Sequence, residues 1–355
     1  MKKQLSTINY QLSTMKTIFV TGGAGFIGSA FVRLILEETS DFEIVNFDAL
    51  TYAGNLENLN GLDETRHKFV KGDICNKEAV LQFLPENAEA IFNFAAESHV
   101  DRSIASASEF VLTNVLGTQI LLDAARAKSV RRFVQVSTDE VQGSLPEDSN
   151  SYFTEDSPIL PNSPYAASKA AAEHFVRAAH ETFDVDTITT RCGNNYGQRQ
   201  FPEKLIPLMI ANAMNDEPVP VYGDGRNVRD WIFVEDHVRA IWLAYLKGKA
   251  GSSYNIGARN ERQNIEVVKS ILDALGKPHS LIKFVTDRLG HDRRYAIDAR
   301  KVETELGWKP ITTWEDGLQK TIHWYKQNQD WVNQIRSGAY RDYYKNHYGM
   351  EVGAK

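Results

Sequence analysis

The sequence predicts an α/β fold: a parallel sheet covered on both faces by helices, with a smaller C-terminal lobe. Three observations predict it. Short apolar runs of strand length alternate with helix-length patterns through the first half of the chain. A loop with regularly spaced glycines joins the first such run to the first helical pattern. Past about Asn194 the alternation loosens, and Pro202, Pro207, Pro218 and Pro220 punctuate it. Alternation of this kind implies parallel strands joined by crossover helices.

The first strand is Ile18-Phe19-Val20. It runs into Thr21-Gly22-Gly23-Ala24-Gly25-Phe26-Ile27-Gly28 and then a helical pattern through about Glu38. Gly22, Gly25 and Gly28 permit a tight turn and close backbone approach, and the helix N-terminus faces a pyrophosphate. Between a strand and a helix this spacing is that of a dinucleotide-binding loop. The sheet is therefore predicted to be of the Rossmann type, doubly wound. A second strand, 43–48, ends on Asp48, about 20 residues after the glycines. A carboxylate there accepts from the adenosine ribose hydroxyls and repels a 2′-phosphate, which favours NAD over NADP.

A third strand is read at 69–74, whose end, Asp73-Ile74, would reach the adenine, and a fourth at 90–98, running into Ala95-Ala96-Glu97-Ser98. The fifth, 132–137, delivers Thr138, Asp139 and Glu140 to its C-terminal end, the edge where open α/β sheets bind ligands. Helical patterns cover 107–127 and 165–183. The second of these begins with Tyr165-Ala-Ala-Ser-Lys169. Positions i and i+4 share a helix face, so a phenol and an ammonium stand together, and the ammonium is expected to lower a phenol pKa of about 10. Such a pair takes a hydroxyl proton while a nicotinamide takes the hydride. Asp139 and Glu140 add a second acid and a second base, which a simple dehydrogenase does not need. They point to oxidation followed by loss of water.

Together these residues resemble the extended short-chain dehydrogenases/reductases and, more narrowly, the family of dTDP-glucose 4,6-dehydratases. The resemblance runs from about Met15 to the region of Tyr340. It rests on TGGAGFIG, AAESHVDRS, TNVLGT, VSTDEV, YAASK, RCGNNYG, QFPEKLIPL, NVRDWIFVEDH and DRLGHDRRYAID in combination. It implies a cytoplasmic hydro-lyase of the route to dTDP-rhamnose. Such an enzyme uses NAD to oxidise dTDP-glucose at carbon 4, eliminates water across carbons 5 and 6, and returns the hydride to carbon 6. Tyr165 and Lys169 would serve the oxidation, with Thr138 holding the carbon 4 hydroxyl. Glu140 would be the base at carbon 5 and Asp139 the acid at carbon 6.

The resemblance also implies a NAD site of Gly22, Gly25, Phe26, Ile27, Gly28, Asp48, Leu50, Thr51, Asp73, Ile74, Ala95, Ala96, Ser98, Thr113, Tyr165, Lys169 and Asn195. The sugar-nucleotide site would be Ser98, Thr138, Asn194, Lys204, Leu205, Pro220, Tyr222, Arg229, Asn264, Asp287, Arg288 and His291. The two long helices would pair across a homodimer. This chain departs from the family pattern at Gln142, where the family has Tyr after Asp-Glu-Val, at Gln198-Arg199 in place of Pro-Tyr, and at Leu289 in place of Pro. Sugar-nucleotide 4-epimerases resemble the same frame without Asp-Glu after Ser-Thr. GDP-mannose dehydratases resemble it with Glu and no preceding Asp. A non-catalytic NAD-binding regulator would lack Tyr165 or Lys169.

At 355 residues the chain accommodates one large domain and a smaller one. The expected division is 15–193 for NAD, with 228–257 returning to it, and 194–227 with 258–348 for the sugar nucleotide. No apolar run reaches membrane-spanning length. A net charge of -6 disfavours nucleic acid. It leaves an anionic substrate to be met by local cations, with Lys204, Arg229, Arg288 and Arg293 as candidates. Cys75 and Cys192 lack metal-ligand spacing, and His99, His174, His180 and His237 are scattered singly, so no metal site is expected. Residues 1–14, in which Gln-Leu-Ser-Thr occurs twice before Met15, read as a disordered extension too polar for a signal peptide. The end after about Tyr348 reads as loose.

Overall fold

The computed structural model describes residues 15–147 and 150–335, so the expectations for 1–14 and for the end after Tyr348 lie outside the described residues. The strands are β1 (Lys16–Thr21), β2 (Phe42–Asp48), β3 (His67–Lys71), β4 (Ala90–Asn93), β5 (Phe133–Thr138), β6 (Thr187–Cys192), β7 (Asn194–Tyr196), β8 (Val219–Tyr222), β9 (Val228–Phe233), β10 (Ser252–Ile256), β11 (Glu261–Gln263) and β12 (Ile282–Val285). Seven of them form one sheet in the order β10-β6-β5-β4-β1-β2-β3, and every pairing in it is parallel. This is the predicted doubly wound sheet. Helices cover both faces, so β5 and β6 are buried at every residue and read as apolar or Thr-rich runs without alternation. The order reverses between β1 and β4. The crevice beyond their C-terminal ends is where a ligand of this fold sits.

A three-stranded sheet, β11-β9-β7, and a pair, β12-β8, build the second lobe. Its core is set by the helices Leu205–Met214, Asn264–Leu275 and Trp314–Gln327, which bury Ile206, Ile210, Val267, Ile271, Trp314 and Leu318 together.

The structure moves several expected boundaries. The third strand starts at His67 and ends at Lys71, so Asp73 and Ile74 lie past its end. The fourth ends at Asn93, because the chain beyond it turns outward over the cavities. The pattern at 107–127 is not one α-helix: a π-helical stretch, Val111–Gly117, precedes Thr118–Ala127. There Gly117 packs so closely that a Cβ would meet Ile74 Cδ1 at 2.5 Å.

The return of 228–257 to the main sheet begins later than expected. β9 pairs with β7 and β11; only the helix Val234–Lys247 and β10 rejoin the large sheet. Helix Arg300–Leu306 also lies on the large sheet's side. Val302, Leu306 and Trp308 join the core cluster containing Ala240, Ala244 and Tyr254. Apolar burial, rather than position in the chain, decides where these segments belong.

Candidate active site

Helix Phe26–Glu38 starts without a side-chain cap and without an acidic residue in its first turn. Its first amides are thus left for an anion, as the macrodipole favours. The loop before it is a backbone cradle. A Cβ on Gly28 would meet Gly22 O at 2.2 Å, and one on Gly22, whose φ is +71°, would meet Ala95 N at 2.5 Å. The residues present therefore fit a dinucleotide pyrophosphate. Asp48, at the end of β2, accepts from Ala24 N at 2.9 Å and from Leu50 N at 2.8 Å, and is buried. Those bonds hold its carboxyl against the loop, while burial raises its pKa.

Two cavities adjoin over the C-terminal edge of the sheet. The first is lined by Gly22, Gly25, Phe26, Ile27, Gly28, Ala96, Thr138, Asp139, Tyr165, Lys169 and Asn195. The second is lined by Pro220, Tyr222, Arg229, Asn264, Arg288 and His291. Ser98, Glu140, Asn194, Glu203, Lys204, Leu205 and Trp231 line both.

Of the remaining sequence-predicted residues, Asp48, Leu50, Thr51, Asp73, Ile74, Ala95, Thr113 and Asp287 do not line either cavity. The Ile74 side chain is in the core. Asp73 accepts from Cys75 N at 2.8 Å. Asp287 pairs with His291 Nδ1 at 2.5 Å. Arg293, expected among the substrate cations, is bonded instead to Glu147 and Asp224 at the surface.

β5 carries the acid–base group. Thr138 caps the short turn after it, accepting from Glu140 N at 3.3 Å, and its hydroxyl lies 3.3 Å from Asp139 Oδ1. Helix Pro164–Phe183 brings in Tyr165 and Lys169, with Ser163 as its cap. It is tied to β6 by a buried bidentate pair, Arg191–Glu173, at 2.7 Å. Asn114 of the π-helical stretch ties it to the β4 exit: Nδ2 donates to Glu97 O at 2.9 Å and to Ser168 Oγ at 2.8 Å.

The electrostatics correct one expectation. Lys169 donates to Val136 O at 2.6 Å, and burial pushes its ammonium down to about 8. The Tyr165 phenol is raised, not lowered: burial comes first, then the charge of Glu140. Cys192 and Asp139 raise it further, and the Thr138 hydroxyl pulls it back. Asp139 is held well above the ordinary carboxyl value by burial and by Glu140. Glu140 is raised by burial, but Arg288, Lys204 and Arg229 all pull it back.

Sequence reasoning passed over Glu203, His99, Trp231 and Tyr295, which line these cavities. Glu203 stands inside QFPEK, and His99 inside AAESHVDRS, but no pattern marks either as buried. The departures are elsewhere. Gln142 is buried and donates to Thr154 O at 2.6 Å, while Leu289 is 78% exposed. Neither lines a cavity.

The fold and the site define a dehydrogenase/reductase of the extended short-chain class, with a second cavity whose lining includes the cations Lys204, Arg229 and Arg288. The family described as GDP-mannose 4,6 dehydratase matches residues 19–321. The dTDP-glucose 4,6-dehydratase of Xanthomonas campestris pv. campestris (strain B100) is 53% identical, over 92% of this chain and 98% of that protein. The crystal structure of the Streptomyces venezuelae dTDP-glucose 4,6-dehydratase, with NAD bound, superposes with a TM-score of 0.87 at 48% identity, covering 90% of this chain and 99% of that one. A Thermus thermophilus UDP-glucose 4-epimerase complex with NAD gives 0.80 at 29% identity, over 88% and 99%. The chain belongs to this family, and within it to the dTDP-glucose 4,6-dehydratases.

Proposed function

We propose that this chain binds NAD and converts dTDP-glucose to dTDP-4-keto-6-deoxyglucose; its relatives are named dTDP-glucose 4,6-dehydratase, and one of that name is solved with NAD bound. The observation that carries the reading is Asp139 and Glu140 beside Tyr165 and Lys169 where the two cavities meet. When bound, NAD supplies the acceptor for the carbon 4 hydride and its donor at carbon 6, and its positive ring adds the charge that favours the Tyr165 phenolate.

Thr138 holds the carbon 4 hydroxyl and Tyr165 takes its proton. The ketone acidifies carbon 5. Glu140, drawn toward its charged form by three cations, removes the carbon 5 proton. Asp139, kept protonated by burial and by Glu140, protonates the departing carbon 6 hydroxyl. Neighbouring carboxyls whose surroundings push them apart divide acid and base roles in this way. Once carbon 6 is reduced, Glu140 returns its proton to carbon 5; Tyr165 gives up the proton it took from the carbon 4 hydroxyl and Asp139 regains one, so the enzyme is restored and water is the only net loss. Lys204, Arg229 and Arg288 face the cavity and suit the diphosphate.

The remaining parts of the reading are a homodimer, cytoplasmic location and the dTDP-rhamnose route. Support for the first is the apolar surface of the helices at 104–117 and 175–183. Support for the second is two free thiols, Cys75 and Cys192. Incubation with dTDP-glucose and no added reductant tests the function: the 4-keto-6-deoxy product is expected. Accumulation of dTDP-galactose would make the chain an epimerase.

A further inference from the structure

His237 sits in the first turn of helix Val234–Lys247, fully buried. It lines neither cavity, yet its Nδ1 is 2.9 Å from Asn195 Oδ1. Asn195 lines the cofactor cavity. Its Nδ2 donates to Gly193 O at 3.1 Å and to Cys192 Sγ at 3.4 Å. The thiol in turn donates to Ser137 O at 3.6 Å, one residue before Thr138.

The direction of this chain of bonds follows from the inventory of donors. Gly193 O only accepts, so the amide must turn Nδ2 to it and Oδ1 to His237. His237 Nδ1 then carries the hydrogen. Nε2 is left with a lone pair and has no partner among the described residues. Cys192 keeps its proton, since burial pushes the thiol up to about 12, and so it can both accept from Asn195 and donate to Ser137. Both amide hydrogens of Asn195 are committed to the protein.

We propose that His237 is a positioning residue for NAD binding: its Nδ1–H fixes the Asn195 amide, and through Cys192 braces the 193–195 floor of the cofactor cavity against the end of β5. The inference rests on the NAD reading above. A neutral ring is required throughout, and burial holds His237 down to about 3. Asp236 and Glu235 flank it on its own helix, and no pH dependence is attached to it.

The test uses NAD-stripped protein and two ligands, NAD and dTDP, measured by calorimetry. His237→Leu is expected to weaken NAD about tenfold or more, the scale of one buried hydrogen bond with its partner left unpaired, and to leave dTDP within about twofold. His237→Asn, whose Nδ2 can take the place of Nδ1, is expected to restore NAD affinity. A merely structural role predicts that both ligands weaken together and that His237→Asn does no better than His237→Leu; either result overturns the proposal. So does NAD affinity in His237→Leu equal to that of the unmutated protein. If His237→Leu does not fold, ¹⁵N-histidine spectra of the unmutated protein decide: a neutral Nδ1–H ring is expected, and an Nε2–H ring overturns the proposal. Failure of the unmutated protein to bind NAD at all would instead sink the reading in the preceding subsection.

Discussion

Glu203 lies where the two cavities join, its Oε2 3.6 Å from His99 Nε2. Burial pushes its carboxyl up to about 7. A carboxyl whose pKa is raised on folding is favourable while protonated. Its contribution is fully present below the unfolded value of 4.5 and is lost as pH rises through about 7. At 1.36 kcal/mol per unit the loss is on the order of 3 kcal/mol. Glu203→Gln in the ligand-free protein is therefore expected to raise the melting temperature at pH 8 and much less at pH 5. Equal shifts at both pH values would contradict this. Tyr165→Phe is expected to leave bound NAD oxidised when dTDP-glucose is added, with turnover lowered about a hundredfold to ten-thousandfold; absorbance at the NADH band checks it. Tyr165 and Lys169 were legible from their i, i+4 spacing, and Asp139 and Glu140 from their place after an apolar strand; the resemblance joined the two pairs into one site. Glu203 was not, since a carboxylate beside Lys204 reads as surface until the lobe closes over it. The direction of the Tyr165 shift was also hidden: it depends first on how deeply the phenol itself is buried and then on the charge of Glu140, which spacing does not record.

The Arg191–Glu173 pair belongs to the scale of elements, because it fastens β6 to the helix that carries Tyr165 and Lys169. Both side chains are buried, and Arg191 also donates to Glu155 O at 3.2 Å. Removing one partner strands the other charge. Glu173→Leu is expected to cost about 3–5 kcal/mol of unfolding free energy. Glu173→Leu with Arg191→Met should recover most of it, as measured by urea denaturation; no recovery would mean the pair is not what is lost. Gly28→Ala drives a Cβ onto Gly22 O, so NAD affinity should fall by tenfold or more with the sugar-nucleotide cavity intact. Calorimetry with each ligand separates the two. The strands β1, β2 and β5 could be read from short apolar runs between turn residues. The π-helical stretch 111–117 could not, because its residue pattern also suits an α-helix. β9 looked like a return to the main sheet because Trp231-Ile232-Phe233 is apolar; only its pairing with β7 and β11 places it in the other lobe.

At the scale of the whole molecule, Val111, Leu112 and Leu116 are 53%, 46% and 44% exposed, and Phe175 and Phe183 are 41% and 50% exposed. Two helical segments packed side by side thus present apolar residues to solvent, which suits a second copy. Light scattering is expected to give a dimer, and Leu116→Glu with Phe175→Glu a monomer; a monomeric unmutated protein would contradict the proposed assembly. The central claim is that one cavity performs two chemistries, oxidation by Tyr165 and Lys169 and elimination by Asp139 and Glu140. Glu140→Gln separates them most directly. With dTDP-glucose labelled by deuterium at carbon 5, this variant is expected to develop NADH absorbance. Exchange of the carbon 5 label with solvent, and formation of the 4-keto-6-deoxy product, should both stall by about a hundredfold or more. Product formed at the unmutated rate, with the label washed out as before, would contradict the account.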